Sequence, residues 1–133
     1  MIDEVLSEIR VGLTNFLLYK YKDKTELDFH AKGSDGLAGL NAALEEGSVM
    51  YGLLRIEKEA IVARGWKCES ERFIFIQWVP DGVSPMLKGV VNAHRGAIRE
   101  IFNPFHVDLA AETSADLAEN LIFDKIEGTT SGH

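Results

Sequence analysis

The sequence predicts an α/β protein of the α+β type: one domain, with a mixed central sheet of roughly five to six strands and helices on both faces. Three observations carry this. Strand-like segments alternate with segments whose apolar residues recur every three to four positions, in the order α-β-β-α-β-β-α-β-α. Arg72 to Val79 is nearly unbroken apolar, the mark of a strand covered on both faces. A chain of 133 residues, 46% hydrophobic and 26% charged, is long enough to bury one ordinary core.

In chain order, Ile2, Val5, Leu6 and Ile9 lie at helical spacing, with Asp3 as the expected N-cap and Gly12 after the last periodic residue. Thr14 to Tyr21 is rich in β-formers; Lys22-Asp23-Lys24 is its turn, and Glu26 to Ala31 its returning partner. Gly33-Ser34-Asp35-Gly36 breaks the sheet and offers Ser34 or Asp35 as a cap for a helix carrying Leu37, Leu40 and Leu44, closed at Gly47. Ser48 to Ile56 is the next strand, and Ala60-Ile61-Val62-Ala63 either extends it or opens the following one. Pro80 stops the apolar strand. Ser84 then caps a helix to about Phe102, with Pro85 at the first helical position, where its missing N–H costs nothing. Phe105 to Ala110 is a last strand, and Thr113 to Ile126 a final helix opened by Thr113-x-x-Asp116, close to a capping box. The domain is expected over 1–127, with 128–133 as a short polar tail.

Formal charge is −7, from 14 basic and 21 acidic residues, so general affinity for nucleic acid or an anionic membrane is not expected. The start, Met1-Ile2-Asp3-Glu4, lacks the basic and apolar regions of a signal peptide. No apolar run reaches the roughly 20 residues needed to span a bilayer, so membrane insertion is not expected and the cytoplasm is the expected location. Cys68 is the sole cysteine and has no nucleophile signature around it. No His or Cys pair stands at metal-ligand spacing, and no phosphate loop or nucleophile elbow is present, so neither cofactor, metal nor catalysis is expected.

The long helix is the exception to the acidic background. At about 100° per residue, Leu87, Val91, His94, Ile98 and Ile101 share the sector that must face the sheet. Lys88, Asn92, Arg95 and Arg99 form a second stripe, and Gly89 and Gly96 fall on the outer flank. Ser84 to Asn103 carries +2, leaving −9 on the rest of the chain. Each glycine costs roughly 1 kcal/mol in an exposed helix interior, which is better tolerated where something approaches the backbone. The residues alone leave both readings open: a binding ridge, or a solvated face whose glycines pack on a neighbour.

Several stretches carry a resemblance. Lys88-Gly-Val-Val-Asn-Ala-His94-Arg95-Gly-Ala-Ile-Arg99-Glu-Ile-Phe102, the strand Phe73-Ile-Phe-Ile-Gln-Trp78, Lys32-Gly33-Ser34-Asp35-Gly36-Leu37 and Asn15-Phe-Leu-Leu-Tyr-Lys-Tyr21 stand in the order of the actin-depolymerising-factor homology domain. The chain resembles that family, and within it the coactosins, over nearly its whole length. The resemblance implies a non-catalytic protein of the cytoplasm and cytoskeleton that binds the side of actin filaments and regulates their dynamics. It places the contacts at Lys88, Asn92, Arg95 and Arg99, with Arg72 as a further basic determinant at the start of the central strand. Glu69 and Glu71 flank Arg72, and the Arg55–Phe73 connection is longer than in typical coactosins. No serine follows Met1, so a cofilin-type phosphoserine switch is not expected. The alternative is a self-associating or adaptor domain of the same fold with weak or lost actin affinity; a phosphoinositide headgroup on the basic stripe is a further partner to be tested.

Overall fold

The computed structural model describes residues 2–23 and 26–129. Met1, Lys24 of the first turn, and residues 130–133, which hold most of the expected tail, lie outside the described residues. The elements are α1 (Ile2–Val11), β1 (Phe16–Tyr21), β2 (Leu27–Gly33), α2 (Gly36–Ala43), β3 (Met50–Ile56), α3 (Lys58–Val62), β4 (Arg72–Trp78), α4 (Pro85–Phe102), β5 (Val107–Ala111) and α5 (Glu119–Glu127). A turn of 3₁₀ helix at Ser114–Leu117 precedes α5.

The five strands form one mixed sheet in the order β2-β1-β3-β4-β5. All neighbours are antiparallel except β4 and β5, whose parallel pairing needs a crossover, which α4 supplies. Side chains of β4 alternate between two cores, as the two-residue period of a strand requires. Phe73 and Phe75 join Val5 and Ile9 of α1 and Val91, Ile98 and Phe102 of α4. Ile74, Ile76 and Trp78 join Leu40 of α2, Ile61 of α3, and Ile122, Phe123 and Ile126 of α5. All seven residues of β4 are buried, as its apolar run predicts. A fully buried ring such as Phe75 or Phe102 stabilises the fold by about 2–3 kcal/mol.

Three local expectations are corrected. Asp3 lies in the first turn of α1 and does not precede it. Ala60–Val62 belongs to the short helix α3, because Ile61 alone of that segment packs into the core while its neighbours stay exposed, which no strand alternation would produce. The final helix is two pieces: the Thr113–Asp116 capping box is formed, but it opens the 3₁₀ turn, and extended backbone at Ala118 separates that turn from α5.

The Ser84 cap and the Gly12 stop act as read, whereas α2 ends at Ala43, ahead of the expected stop at Gly47. Leu87 N–H donates to Ser84 Oγ at 3.2 Å, with Pro85 behind the cap. Gly12 closes α1 at φ +87°, a left-handed conformation open to glycine at no steric cost. The Arg55 guanidinium donates to the last carbonyls of α1, Ile9 O at 3.1 Å and Arg10 O at 2.8 Å, where the helix dipole favours a cation. Arg10 in turn donates to Phe102 O at 2.8 Å and Pro104 O at 2.6 Å, fixing α1 against the end of α4. The α2 terminus is capped from a distance. Asp35 makes no side-chain cap; Asn15 Oδ1 instead accepts from Gly36 N–H at 2.8 Å, and Asn15 Nδ2 donates to Ser34 O at 3.0 Å.

Candidate functional site

Helix α4 lies on the sheet through Val91, Ile98 and Phe102, with Leu87 and His94 half-buried at the margin. Ile101, placed on the buried sector by periodicity, is 40% exposed, and Phe102 takes the core position in its stead. His94 Nδ1 lies 3.4 Å from the Tyr21 hydroxyl, which is 3.1 Å from the hydroxyl of fully buried Tyr51. Burial pushes the Tyr51 hydroxyl far above the ordinary phenol range, Tyr21 adds to the shift, and Arg95 only partly opposes it. This polar string pins the middle of α4 to β1 and β3.

The basic stripe is outward but unevenly occupied. Lys88 Nζ donates to Asp81 O at 3.2 Å and lies 3.9 Å from the Asp81 carboxylate, so the loop before α4 shares its charge. Asn92 is exposed, and its Oδ1 accepts from Arg95 at 3.3 Å. Among the described residues Arg95 has no ion-pair partner, which makes it the least committed cation of the stripe. Arg99 is bound to Asp108 of β5 and sits 5.5 Å from the centre of the Phe105 ring. Apart from adjacent residues and the helix's own backbone, no atom of the described residues stands within 4 Å of a Cβ built on Gly89 or Gly96. Packing against a neighbouring helix of this chain therefore does not explain those glycines; they leave two bare points of backbone on the outward helix.

Arg72 is set apart from the stripe. It is 8% exposed, and its guanidinium is consumed within the chain. It donates to Thr129 Oγ1 at 3.0 Å and Thr129 O at 3.2 Å, to Ser70 Oγ at 3.0 Å and Ser70 O at 3.2 Å, and to Glu71 O at 3.3 Å. Its two acidic neighbours are not equivalent: Glu69 is exposed, while Glu71 lies 3.9 Å from Arg55. The long Arg55–Phe73 connection folds back onto α5. There Arg64 pairs with Glu119 and lies 3.8 Å over the Phe123 ring, Trp66 packs beside the same ring, and Cys68 is buried with its thiol donating to Ser70 O at 2.8 Å.

His30 and His106 are held by main chain. His30 Nε2–H donates to Ala43 O at 2.7 Å. His106 Nδ1 accepts from Phe73 N–H at 3.0 Å, and burial, with Arg72 and Arg10 adding, holds its pKa below the ordinary value against a weaker pull from Glu71. Among the described residues no three His, Cys, Asp or Glu side chains converge on a metal-sized site, and no helix is long and apolar enough to cross a membrane.

Residues the sequence reading did not single out complete the surroundings of α4. Asp81 and Asp108 neutralise two of its three cations, and Gln77 lies buried beneath Arg95 and Lys88 in a groove of about 520 Å³. The acids gave no signal because their approach to α4 depends on tertiary packing. Gln77 did leave one: it is the single polar residue inside the apolar run from Phe73 to Val79.

The fold as a whole is shared with known proteins. A family model for cofilin/tropomyosin-type actin-binding proteins matches residues 2–127. Coactosin of Dictyostelium discoideum is 28% identical over 125 residues, covering 93% of this chain and 81% of that protein. Coactosin of Entamoeba histolytica is 31% identical over 98 residues, covering 73% of this chain and 63% of that protein. The crystal structure of a coactosin from Entamoeba histolytica superposes with a TM-score of 0.80 at 26% identity, over 93% of this chain and 89% of the other. With a five-stranded mixed sheet of the same shape and a family match across almost its whole length, the chain belongs to the cofilin/tropomyosin-type actin-binding proteins, whose work is binding and not catalysis.

Proposed function

We propose that this protein binds the side of actin filaments, in the manner of a coactosin, through the outward face of α4, and so regulates filament dynamics in the cytoplasm. The observation that carries this is the stripe Lys88, Asn92, Arg95 and Arg99 on a chain of formal charge −7, on a helix whose two outer glycines leave its backbone open to close approach. The contact reading from the sequence included Arg72; its buried guanidinium supports a structural part for it instead, leaving the stripe as the face proposed here. Exposed cations of this kind act mostly on association rate and salt dependence.

Co-sedimentation with actin filaments at low and moderate salt tests the reading. The triple substitution Lys88→Ala, Arg95→Ala, Arg99→Ala is expected to lose about tenfold in affinity, close to 1.4 kcal/mol, with an unchanged thermal midpoint. Pelleting equal to wild type would remove α4 from the contact.

Self-association is the second reading, and one observation favours it. An apolar groove of about 570 Å³ runs between α1, β2 and α4, bordered by Ile2, Leu27, Phe29 and Ile101. Sedimentation velocity separates the two: a concentration-dependent dimer with no filament binding would replace the filament reading. A phosphoinositide headgroup is less well served, since Asp81 and Asp108 hold two of the three cations and only Arg95 is free of an acidic partner among the described residues. Liposome flotation with and without phosphoinositide checks it.

A further inference from the structure

On its β5 side, the face of the sheet that carries α4 is left uncovered. Gln77 shares the parity of Phe73 and Phe75, so its side chain is on the α4 side, and it is only 7% exposed. In register it stands between Tyr51 of β3 and Ala110 of β5. Tyr51 fills its own side completely, whereas Ala110 has only a methyl group and is exposed. The gap over Ala110 is the groove of about 520 Å³, with Lys88 and Arg95 on the helix wall and Glu112 and Asp116 on the wall opposite. Among the described residues, no hydrogen bond reaches the Gln77 carboxamide. The carboxamide is not sealed off, since among the described residues the side-chain atoms closed to solvent without a partner are Thr14 Oγ1 and Asn41 Oδ1; it looks into the groove, where an occupant can reach it.

The chemistry of a fitting occupant follows from the walls. Two cations face two carboxylates, so the groove has no net formal charge to attract an anion. Asp116 is engaged besides, its Oδ2 accepting from the N–H groups of Glu112 at 3.0 Å and Thr113 at 3.2 Å. A carboxamide at the floor offers one acceptor and two donor hydrogens, which a neutral amide answers with a donor and an acceptor of its own. We propose that this groove receives a neutral amide group presented by the filament, which pairs with Gln77 while Arg95 closes over its edge. The inference rests on α4 being the filament face, and it adds a polar anchor point beside the charged stripe.

Gln77→Met keeps length and volume and removes only the hydrogen-bonding atoms. Its filament affinity is expected to fall about tenfold in co-sedimentation, while its thermal midpoint stays level, because the carboxamide has no partner within the described residues to lose. Gln77→Glu, which lacks the donors and adds charge, is expected to bind no better than Gln77→Met. Wild-type affinity in Gln77→Met would overturn the anchor, and so would a midpoint well below wild type, which would make the carboxamide a structural group. Inorganic phosphate is expected not to compete; displacement of wild type but not of Gln77→Met by phosphate would mark an anion site and overturn it too. The triple substitution on the stripe separates the two ideas. If it weakens binding while Gln77→Met does not, the filament face stands and the anchor falls.

Discussion

Arg72 and Arg95 are the same side chain, about as far apart in meaning as two arginines on one small protein can be. Arg72 enters the central sheet, is almost wholly buried, and gives its guanidinium to Thr129, Ser70 and Glu71. Arg95 stands in solvent with a single 3.3 Å bond to its helix neighbour Asn92. Both read as basic residues at expected contact positions. The difference teaches that a cation serves a partner only to the extent that its own chain has left it unused. Lys88 and Arg99 fall between these poles, since each shares its charge with an aspartate.

The strongest way to break the comparison is Arg72→Ala. It leaves the carbonyls of Ser70, Glu71 and Thr129 short of a donor and loosens the end of α5, so about 1–3 kcal/mol of stability should go, read in urea unfolding. Filament affinity measured well below the melting range should stay near wild type. An affinity loss with unchanged stability would reverse the assignment and return Arg72 to the contact.

A smaller effect tests the intermediate case. Asp108→Asn releases Arg99 from its carboxylate, and a freed cation should raise filament affinity about two- to threefold at low salt, fading as salt screens it. Stability should barely move, because exposed pairs contribute about 0–1 kcal/mol. A fall in affinity would mean instead that Asp108 holds Arg99 in the posture the partner needs.

The smallest effect comes from the field of the buried arginine. His106 accepts a hydrogen bond from Phe73 N–H and is held below its ordinary pKa by burial first and by Arg72 second. The unfolded chain therefore takes up this proton before the folded one, so stability falls as pH drops through the ordinary histidine range near about 6.5, and the loss is complete once the lowered folded value is passed. The wild-type thermal midpoint should decline slightly from neutral to mildly acidic pH. His106→Asn, whose Oδ1 can accept the same bond, should flatten that decline; an identical slope in both would show that other groups carry it.

Much of the fold was legible because its signals are local. Ser84-Pro85, Gly12, the apolar run of β4 and the stripe of α4 each act through neighbours in the sequence, and each appears where the pattern puts it. The misreadings occur where distant packing decides. Ala60–Val62 is helical because one side chain, Ile61, finds the core, and Ile101 yields its buried place to Phe102 at the end of α4. The candidate site divides the same way. The helical period was enough to align Lys88, Asn92, Arg95 and Arg99, but which of them is neutralised depends on Asp81 and Asp108, and Asp108 comes from an edge strand nine residues after Arg99.

The capping of α2 by Asn15 has a consequence for how the protein is assembled. At eight residues, with no side-chain cap from its own N-terminus, α2 is too short to persist alone in water. Its first amide is held by a residue 21 positions earlier, at the mouth of the β1–β2 hairpin. That helix is therefore expected to form late in folding, after the hairpin has closed and set Asn15 in place. Asn15→Ala should accordingly speed unfolding more than it slows refolding, marking a joint made after the rate-limiting step.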